Sequence, residues 1–235
     1  MEHRCVWEHN GNDTLLYSST LIGAYTRGAS LEEAKQKMAR EAGSYLRWRN
    51  IRLTDGLLLS VTQEKESALA IWDADSDVLF DGERDPLTRE EYLCQKELAL
   101  RSAGDFLTLY EAVPNKDRSV LPVRESFYGP VPRTAEEMYQ HTKNVNAYYF
   151  GEIGVDADNR GSIWECRSQG FERLEALPGF LKNETQVGSY GEEWSLRKVL
   201  RRFLWHDRIH AKALYRMAIK TFGPDSVPNV FQFDL

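Results

Sequence analysis

The sequence predicts an α+β protein in which a small β-sheet with one helix precedes a four-helix bundle. Between residues 5 and 80, short apolar runs surround a single amphipathic helical segment. Beyond Thr88 the apolar residues recur at the helical period of about 3.6. An acidic segment with Gly82 and Pro86 separates these two parts. We therefore expect two domains, residues 1–84 and residues 85–235.

The composition is that of an ordinary globular protein. Of the 235 residues, 42% are hydrophobic and 28% are charged, and the formal charge is −6. No stretch approaches the ~18 uncharged apolar residues of a membrane span, and no apolar signal core follows the first residues. The three cysteines, Cys5, Cys94 and Cys166, stand far apart, which is typical of a reducing compartment. We expect a cytoplasmic protein with no membrane partner. Its acidity argues against a nucleic-acid partner, although a local basic patch stays open.

The first part of the chain predicts strands around one helix. Leu15 to Tyr25 is rich in aliphatic, Ser, Thr and Tyr residues and is typical of a strand or a tight strand pair. Ser30 is placed to cap a helix that ends near Trp48, and Glu33 completes a capping box.

Two further strands are expected after this helix. Leu57 to Gln63 and Ala68 to Trp72 are both rich in strand-forming residues, and the polar residues between them favour a hairpin turn.

The second part predicts four helices. The first follows Thr88, the second begins at Thr134, the third at Ser162 and the last at Ser195. The last helix should end before Gly223 and Pro224, which stop helices. Four amphipathic helices, two of them long, are typical of an up-and-down bundle or a crossover variant. The apolar stripe of the first helix is predicted to be Leu93, Leu100, Ala103, Leu107 and Tyr110.

The last helix carries two histidines where apolar side chains are expected. His206 and His210 are four residues apart, so both imidazoles lie on one helix face, with β-carbons about 5–6 Å apart. His141 interrupts the stripe of the second helix in the same way. The stripe of the last helix is Leu196, Val199, Phe203, His206, His210, Ala213 and Met217.

Three inward imidazoles predict a divalent metal site. Without a common partner their buried polar atoms would each cost ~1–3 kcal/mol, and a shared ion removes that cost. Three neutral imidazoles with open positions form the layout of a catalytic zinc site, and nickel, iron or manganese could also bind. Zinc or nickel is the leading expectation. Because only neutral imidazole binds a metal, affinity should fall as the pH drops through about 6. Glu137, one turn before His141, is the candidate general base, with helix capping as its alternative role.

The region around these histidines resembles the DinB/YfiT-like metalloenzymes. The resemblance is carried by Glu192 to Ala218 and by Thr134 to Gly154, and it extends over about residues 88–222. Members of that family are four-helix bundles with one histidine on the second helix and an H-x-x-x-H pair on the last.

The family's three histidines match His141, His206 and His210 of this sequence. Characterised members include thiol-dependent S-transferases and a mycothiol-dependent maleylpyruvate isomerase. The resemblance therefore implies a metal-dependent hydrolase or thiol transferase acting on a small-molecule or thiol substrate.

The first part bears a resemblance to HicB-like antitoxin domains. Tyr25 to Leu46 has the strand, glycine turn, hydroxyl cap and Glu-Glu-Ala of that family. The resemblance implies architecture, and a domain that binds a partner or a second copy of itself, so a homodimer stays open. The alternative function is then a binding module: the HicB-like half docks a protein or RNA partner and the bundle is a metal-stabilised scaffold.

Charged residues on the last helix predict a solvated face. Arg197, Arg201 and Arg208 lie along one side, with Lys198 and Arg202 beside it. Asp207 is expected to form a surface ion pair.

The loop from Pro114 to Arg133 is predicted to border the metal site. It contains several prolines and leads directly into the helix with His141. Long connections in compact domains are uncommon and are often functional. Phe127 and Tyr128 are the candidates for the wall of the pocket mouth, and a passive surface crossover is the alternative.

Overall fold

The computed structural model describes residues 2–52 and 58–234, and its α+β architecture confirms the predicted class. The described residues form a four-stranded sheet, two short two-stranded ribbons and five α-helices. In chain order the elements are β1 (Glu2–Asn10), β2 (Asp13–Ser18), β3 (Tyr25–Gly28), α1 (Leu31–Trp48), β4 (Leu58–Glu66), α2 (Arg89–Ala112), β5 (Glu125–Ser126), β6 (Gly129–Pro130), α3 (Ala135–Gly151), α4 (Ile163–Glu175), β7 (Gln186–Val187), β8 (Glu193–Trp194) and α5 (Leu196–Phe222).

The main sheet has the strand order β3-β2-β1-β4. β1, β2 and β3 form an antiparallel meander, whereas β4 pairs parallel to β1. A parallel neighbour requires a crossover connection, and α1 supplies it. The predicted strand pair between Leu15 and Tyr25 corresponds to β2 and the start of β3.

The sheet is covered on both faces because side chains alternate along its strands. Leu16 packs with Ala34 and Met38 of α1 on one face. Leu15 and Tyr17 pack on the other face with a cluster that includes Trp205 of α5.

The predictions of a strand between Ala68 and Trp72 and of a hairpin turn before it are both wrong. The polar residues placed in that turn continue β4 as far as Glu66, while Ile71 to Asp73 form a short 3₁₀ turn. The reason is that β4 pairs with β1, from Leu58 opposite Glu2 to Glu66 opposite His9. β4 lies at the sheet edge, where polar side chains are tolerated. Leu57, the first residue of the predicted strand, lies outside the described residues.

The predicted helix starts of the second part are confirmed by their caps. The side-chain oxygens of Thr88, Thr134, Ser162 and Ser195 each accept the backbone N–H three residues on. α2 and α3 each pack against both α4 and α5.

α5 belongs to the cores of both parts of the chain. Trp205 packs beneath the sheet, whereas Leu200 and Phe203 pack among α2, α3 and α4. In α1, Tyr45 and Trp48 join a cluster that also contains residues of α2 and α5. The division into residues 1–84 and 85–235 stays a prediction. Among the helices of the described residues, none combines the length and apolarity needed to cross a membrane.

Candidate metal centre

His141, His206 and His210 lie together, as their positions in the apolar stripes of two helices predict. One ring nitrogen from each lies within 4.8 Å of the other two, so the three residues could bind one metal ion. The ring centroid of His141 is 5.2 Å from that of His206 and 4.5 Å from that of His210. The centroids of His206 and His210 are 4.4 Å apart.

Two packed helices position these side chains. His206 and His210 occupy successive turns of α5, where a spacing of four residues places them on the same face. α3 packs against α5 and brings His141 to this face. The cap at Thr134 sets the start of α3 about two turns before His141. The site is therefore built on two helices rather than on loops.

Burial keeps these imidazoles neutral. His206 is buried, and His141 and His210 are half-buried. Burial is the main cause that lowers the pKa of His206 and of His210 well below the ordinary value, and the positive charge of neighbouring groups lowers them further. Burial also lowers the pKa of His141. Neutral imidazole is the form that binds a metal ion.

The buried face of His206 leaves one polar atom unsatisfied. His206 Nδ1 has no hydrogen-bond partner among the described residues. A buried polar atom without a partner costs free energy, and coordination to an ion would remove that cost. This observation fits the predicted metal site.

Asp207 lies beside His206 in the chain but forms no surface ion pair, so that prediction is wrong. Its carboxylate accepts from Arg167 Nη1 at 2.5 Å and from Nη2 at 3.1 Å, and both side chains are fully buried. The Arg167 guanidinium also lies over the Phe203 ring, 4.2 Å from its centroid. Asp207 faces α4, whereas His206 faces α3.

Aromatic side chains from the loop before α3 lie against the histidines. The Tyr128 ring is 5.4 Å from the ring of His141, and Phe127 packs on Tyr128 at 5.0 Å. Both aromatic residues lie between β5 and β6, so this loop contains a short ribbon. The Phe127 N–H donates to Asp73 Oδ2 at 3.4 Å. The loop thus borders His141, and Phe127 and Tyr128 are 55% and 43% exposed at its edge.

Glu137 is engaged in the cap of α3. Its carboxylate accepts from the backbone N–H of Arg133 at 2.8 Å and of Thr134 at 3.1 Å. The bond from Arg133 is the first of several causes that lower the pKa of Glu137. These contacts support the capping role, and its role as general base stays a prediction.

The prediction that the five cations of α5 lie on a solvated face is wrong for four of them. Lys198, Arg201, Arg202 and Arg208 are buried. Three of them have carboxylate partners: Glu192 for Lys198, Glu83 for Arg201 and Glu41 for Arg208. Glu83 and Glu41 come from the first part of the chain, so the helix pattern alone gives no signal for this pairing.

Comparisons with protein-family models, with curated proteins and with solved structures found no match to this chain. The function is therefore argued from the site itself.

Proposed function

We propose that this protein is a metal-dependent enzyme of the DinB/YfiT-like type, a hydrolase or thiol transferase. His141, His206 and His210 would hold one divalent ion, zinc or nickel. The observation that carries this proposal is the position of three ligand nitrogens within 4.8 Å of one another on two packed helices.

The helix arrangement supports the DinB-like assignment. α2, α3, α4 and α5 pack together as the resemblance implies for a four-helix bundle. The histidines lie on the second and last of these four helices, which are the positions that the family's histidines occupy.

The ligand set favours catalysis over a purely structural role. Structural zinc is usually closed by four protein ligands, whereas catalytic zinc keeps a position open beside three. Among the described residues, the group of possible ligands at this site is three histidines. A zinc-type ion held by these histidines would supply a bound water with a pKa lowered to about 7 and a Lewis acid for a substrate carbonyl.

The protein's own groups would shape access to this site. Tyr128 lies against His141 and, with Phe127, forms an apolar edge beside the histidines. Such an edge suits a small-molecule or thiol substrate with an apolar portion. A pocket with apolar walls and a few polar groups is the usual form of a small-molecule site.

Calorimetric titration of the metal-free protein with Zn²⁺ and Ni²⁺ tests the proposal without requiring a known substrate. We expect one ion per chain and a loss of affinity in His206→Ala that exceeds the ~10–100-fold typical of losing an outer-shell partner. His9→Gln is the matched control, because His9 lies outside the cluster and its Nε2 is 3.1 Å from Glu64. Absence of binding, or equal binding by the wild type and His206→Ala, would overturn the proposal.

X-ray absorption spectroscopy of the loaded protein then separates the enzyme from the scaffold. Three imidazole ligands plus one or more water oxygens are expected for the enzyme. A fourth protein ligand would instead support the alternative, in which the ion stabilises a module that binds a protein or RNA partner.

A further inference from the structure

A cavity of about 410 Å³ lies between α1, β3 and α5 and has a strongly cationic wall. Five positively charged side chains line it: Arg27, Lys37, Arg40, Lys212 and Arg216. Arg27, Lys37 and Arg40 come from β3 and α1, which are consecutive in the chain, whereas Lys212 and Arg216 come from the distant α5. The fold therefore gathers these charges into one cavity, although the protein carries a formal charge of −6.

The two carboxylates at this cavity already have partners. Glu41 Oε1 accepts from Arg208 at 2.6 Å, and Glu41 Oε2 is 3.1 Å from Lys212. Asp234 is 2.6 Å from Arg47. Even if Glu41 and Asp234 each neutralise one positive charge of the wall, the cationic side chains remain in excess.

Two of the guanidinium groups are available to a ligand. Arg40 and Arg216 are exposed and have no ion-pair partner within residues 2–52 and 58–234. Lys37 is held by Glu33 at 2.6 Å, and Arg27 donates to the Trp72 carbonyl at 2.9 Å. Arg40 on α1 and Arg216 on α5 therefore provide free donors from two sides of the cavity.

A buried hydroxyl on the same wall also lacks a partner. Ser44 is 2% exposed, and its Oγ makes no hydrogen bond in the described part of the chain. Buried hydroxyl groups are normally hydrogen-bonded, and leaving one unpaired costs free energy. A ligand with acceptor oxygens would satisfy this donor.

We propose that this cavity binds a small molecule that carries a phosphate group. Planar guanidinium groups match phosphate oxygens with paired hydrogen bonds, and hydrogen bonds between charged groups are the stronger kind. The cavity volume lies within the ~300–1,000 Å³ of small-molecule sites. A concave site of this size suits a compact ligand rather than a polymer.

The phosphate site is separate from the metal centre. Lys212 and His210 are two residues apart on α5, which is a rotation of about 200° around the helix. None of the three histidines lines the cavity, so the two sites share no residue, although Arg27 is near enough to His210 to contribute to its lowered pKa. This proposal does not depend on the proposed function.

Calorimetric titration of the full-length, metal-free protein with pyrophosphate and with inorganic phosphate tests the site. We expect both to bind, and Arg40→Gln and Arg216→Gln to weaken each by about tenfold or more. Lys220→Gln is the matched control, because it removes one positive charge from an exposed position of the same helix outside the cavity. His206→Ala should bind pyrophosphate as the wild type does, which separates this site from the metal centre.

Three results would overturn the proposal. The first is no detectable binding of pyrophosphate to the wild type. The second is equal weakening by Lys220→Gln and Arg216→Gln, which would indicate a general effect of charge. The third is succinate binding as tightly as pyrophosphate, because the cavity would then select negative charge rather than phosphate.

Discussion

At the residue scale, several buried charges on α5 are paired with opposite charges from other parts of the chain. Arg167 and Asp207 are both fully buried and form an ion pair with each other. Arg167 Nη1 also donates to the Ala99 carbonyl at 3.3 Å. Desolvation offsets much of the attraction in such a pair, so its presence adds little net stability. Removing one partner is different, because the other charge is then buried without compensation.

Asp207→Asn should therefore lower the free energy of unfolding by about 3–5 kcal/mol. Urea denaturation followed by circular dichroism measures this change. Arg160→Ala is the control: Arg160 is 85% exposed beside Asp158, and an ion pair screened by water adds little to stability, so its loss should leave the unfolding midpoint nearly unchanged.

If Asp207→Asn does not fold, the double variant Arg167→Met with Asp207→Leu keeps the prediction testable. It removes both charges and should fold with stability closer to that of the wild type. A single variant as stable as the wild type would contradict the argument.

The lowered pKa of Lys198 predicts that the stability of the protein changes with pH in the alkaline range. Burial, opposed by the Glu192 carboxylate 2.8 Å away, lowers the pKa of Lys198 to about 8. The unfolded chain holds this proton to a higher pH, near 10.5. Between the two values the unfolded state binds more protons, so this residue makes stability rise with pH, by up to about 1.4 kcal/mol per unit.

Lys198→Met lacks this contribution. The stability of the wild type relative to Lys198→Met should therefore rise from pH 8 to pH 10 in urea denaturation experiments. The contributions of other titrating groups largely cancel in this difference. A constant difference over that range would show that Lys198 keeps an ordinary pKa.

The histidine cluster was predictable from sequence, but the environment of the cations was not. A spacing of four residues places His206 and His210 on one face whatever surrounds the helix. Arg208 lies on that helix too, yet its burial depends on Glu41, which is 167 residues away in the chain. Local spacing carries no signal for a partner so distant.

At the element scale, the helix boundaries were the most predictable part of the fold. A hydroxyl cap is a local signal, and Ser195 opens α5 and Gly223 ends it as expected. The pairing of β4 with β1 was not predictable, because a parallel register joins residues more than 50 positions apart, such as Glu2 and Leu58. The apolar stripe of α2 was correct at Ala103, which is buried, but wrong at its first position: Tyr92 is buried, whereas Leu93 is 46% exposed.

Gly170 allows α4 to approach the Phe150 ring of α3 closely. A Cβ atom added at Gly170 of α4 would lie 2.1 Å from Phe150 Cε2 of α3, closer than atoms can approach. At Gly104 of α2, an added Cβ would meet its nearest atom, in Trp164, at 3.6 Å, which is ordinary contact. The two glycines therefore differ in packing although both lie inside helices.

Alanine substitution should have opposite effects at these positions. Alanine forms helices better than glycine, so Gly104→Ala should raise the free energy of unfolding by about 0.5–1 kcal/mol. Gly170→Ala should lower it by about 1–3 kcal/mol, because overpacking between α3 and α4 outweighs the helix preference. Thermal or urea unfolding measures both variants. Stabilisation by Gly170→Ala would show that the helices separate without cost.

At the scale of the whole molecule, α5 joins the parts that the sequence pattern divides. The periodicity of apolar residues changes near residue 85, and the secondary structure changes there as well, from the main sheet with α1 to the helices α2 to α5. Packing does not follow it: Trp205 lies 6.0 Å from the Tyr17 ring of β2, and Trp48 of α1 stacks with Phe231 near the end of the described chain. The periodicity of apolar residues reports local secondary structure. A domain boundary depends instead on contacts between residues that are distant in the sequence, and the periodicity does not reveal these contacts.

The chain should therefore fold as one cooperative unit, and residues 85–235 alone should not fold. Without residues 1–84, Arg201 loses Glu83 and Arg208 loses Glu41, while both arginines are buried in the full chain. An arginine that stays buried without its partner costs about 3–5 kcal/mol, a large share of the ~5–15 kcal/mol that stabilises a typical domain. The fragment would also expose the face of Trp205 that packs beneath the sheet.

Amide dispersion in NMR spectra of residues 85–235, compared with the full chain, tests this prediction. We expect a collapsed spectrum for the fragment, recovery when residues 1–84 are co-expressed with it, and a single unfolding transition for the full chain by fluorescence and circular dichroism. A dispersed spectrum and cooperative unfolding of the fragment alone would instead mean that Arg201 and Arg208 turn outward to water once their partners are gone. The predicted boundary near residue 84 would then separate two independent domains, and the ion pairs across it would serve to orient them rather than to support the fold.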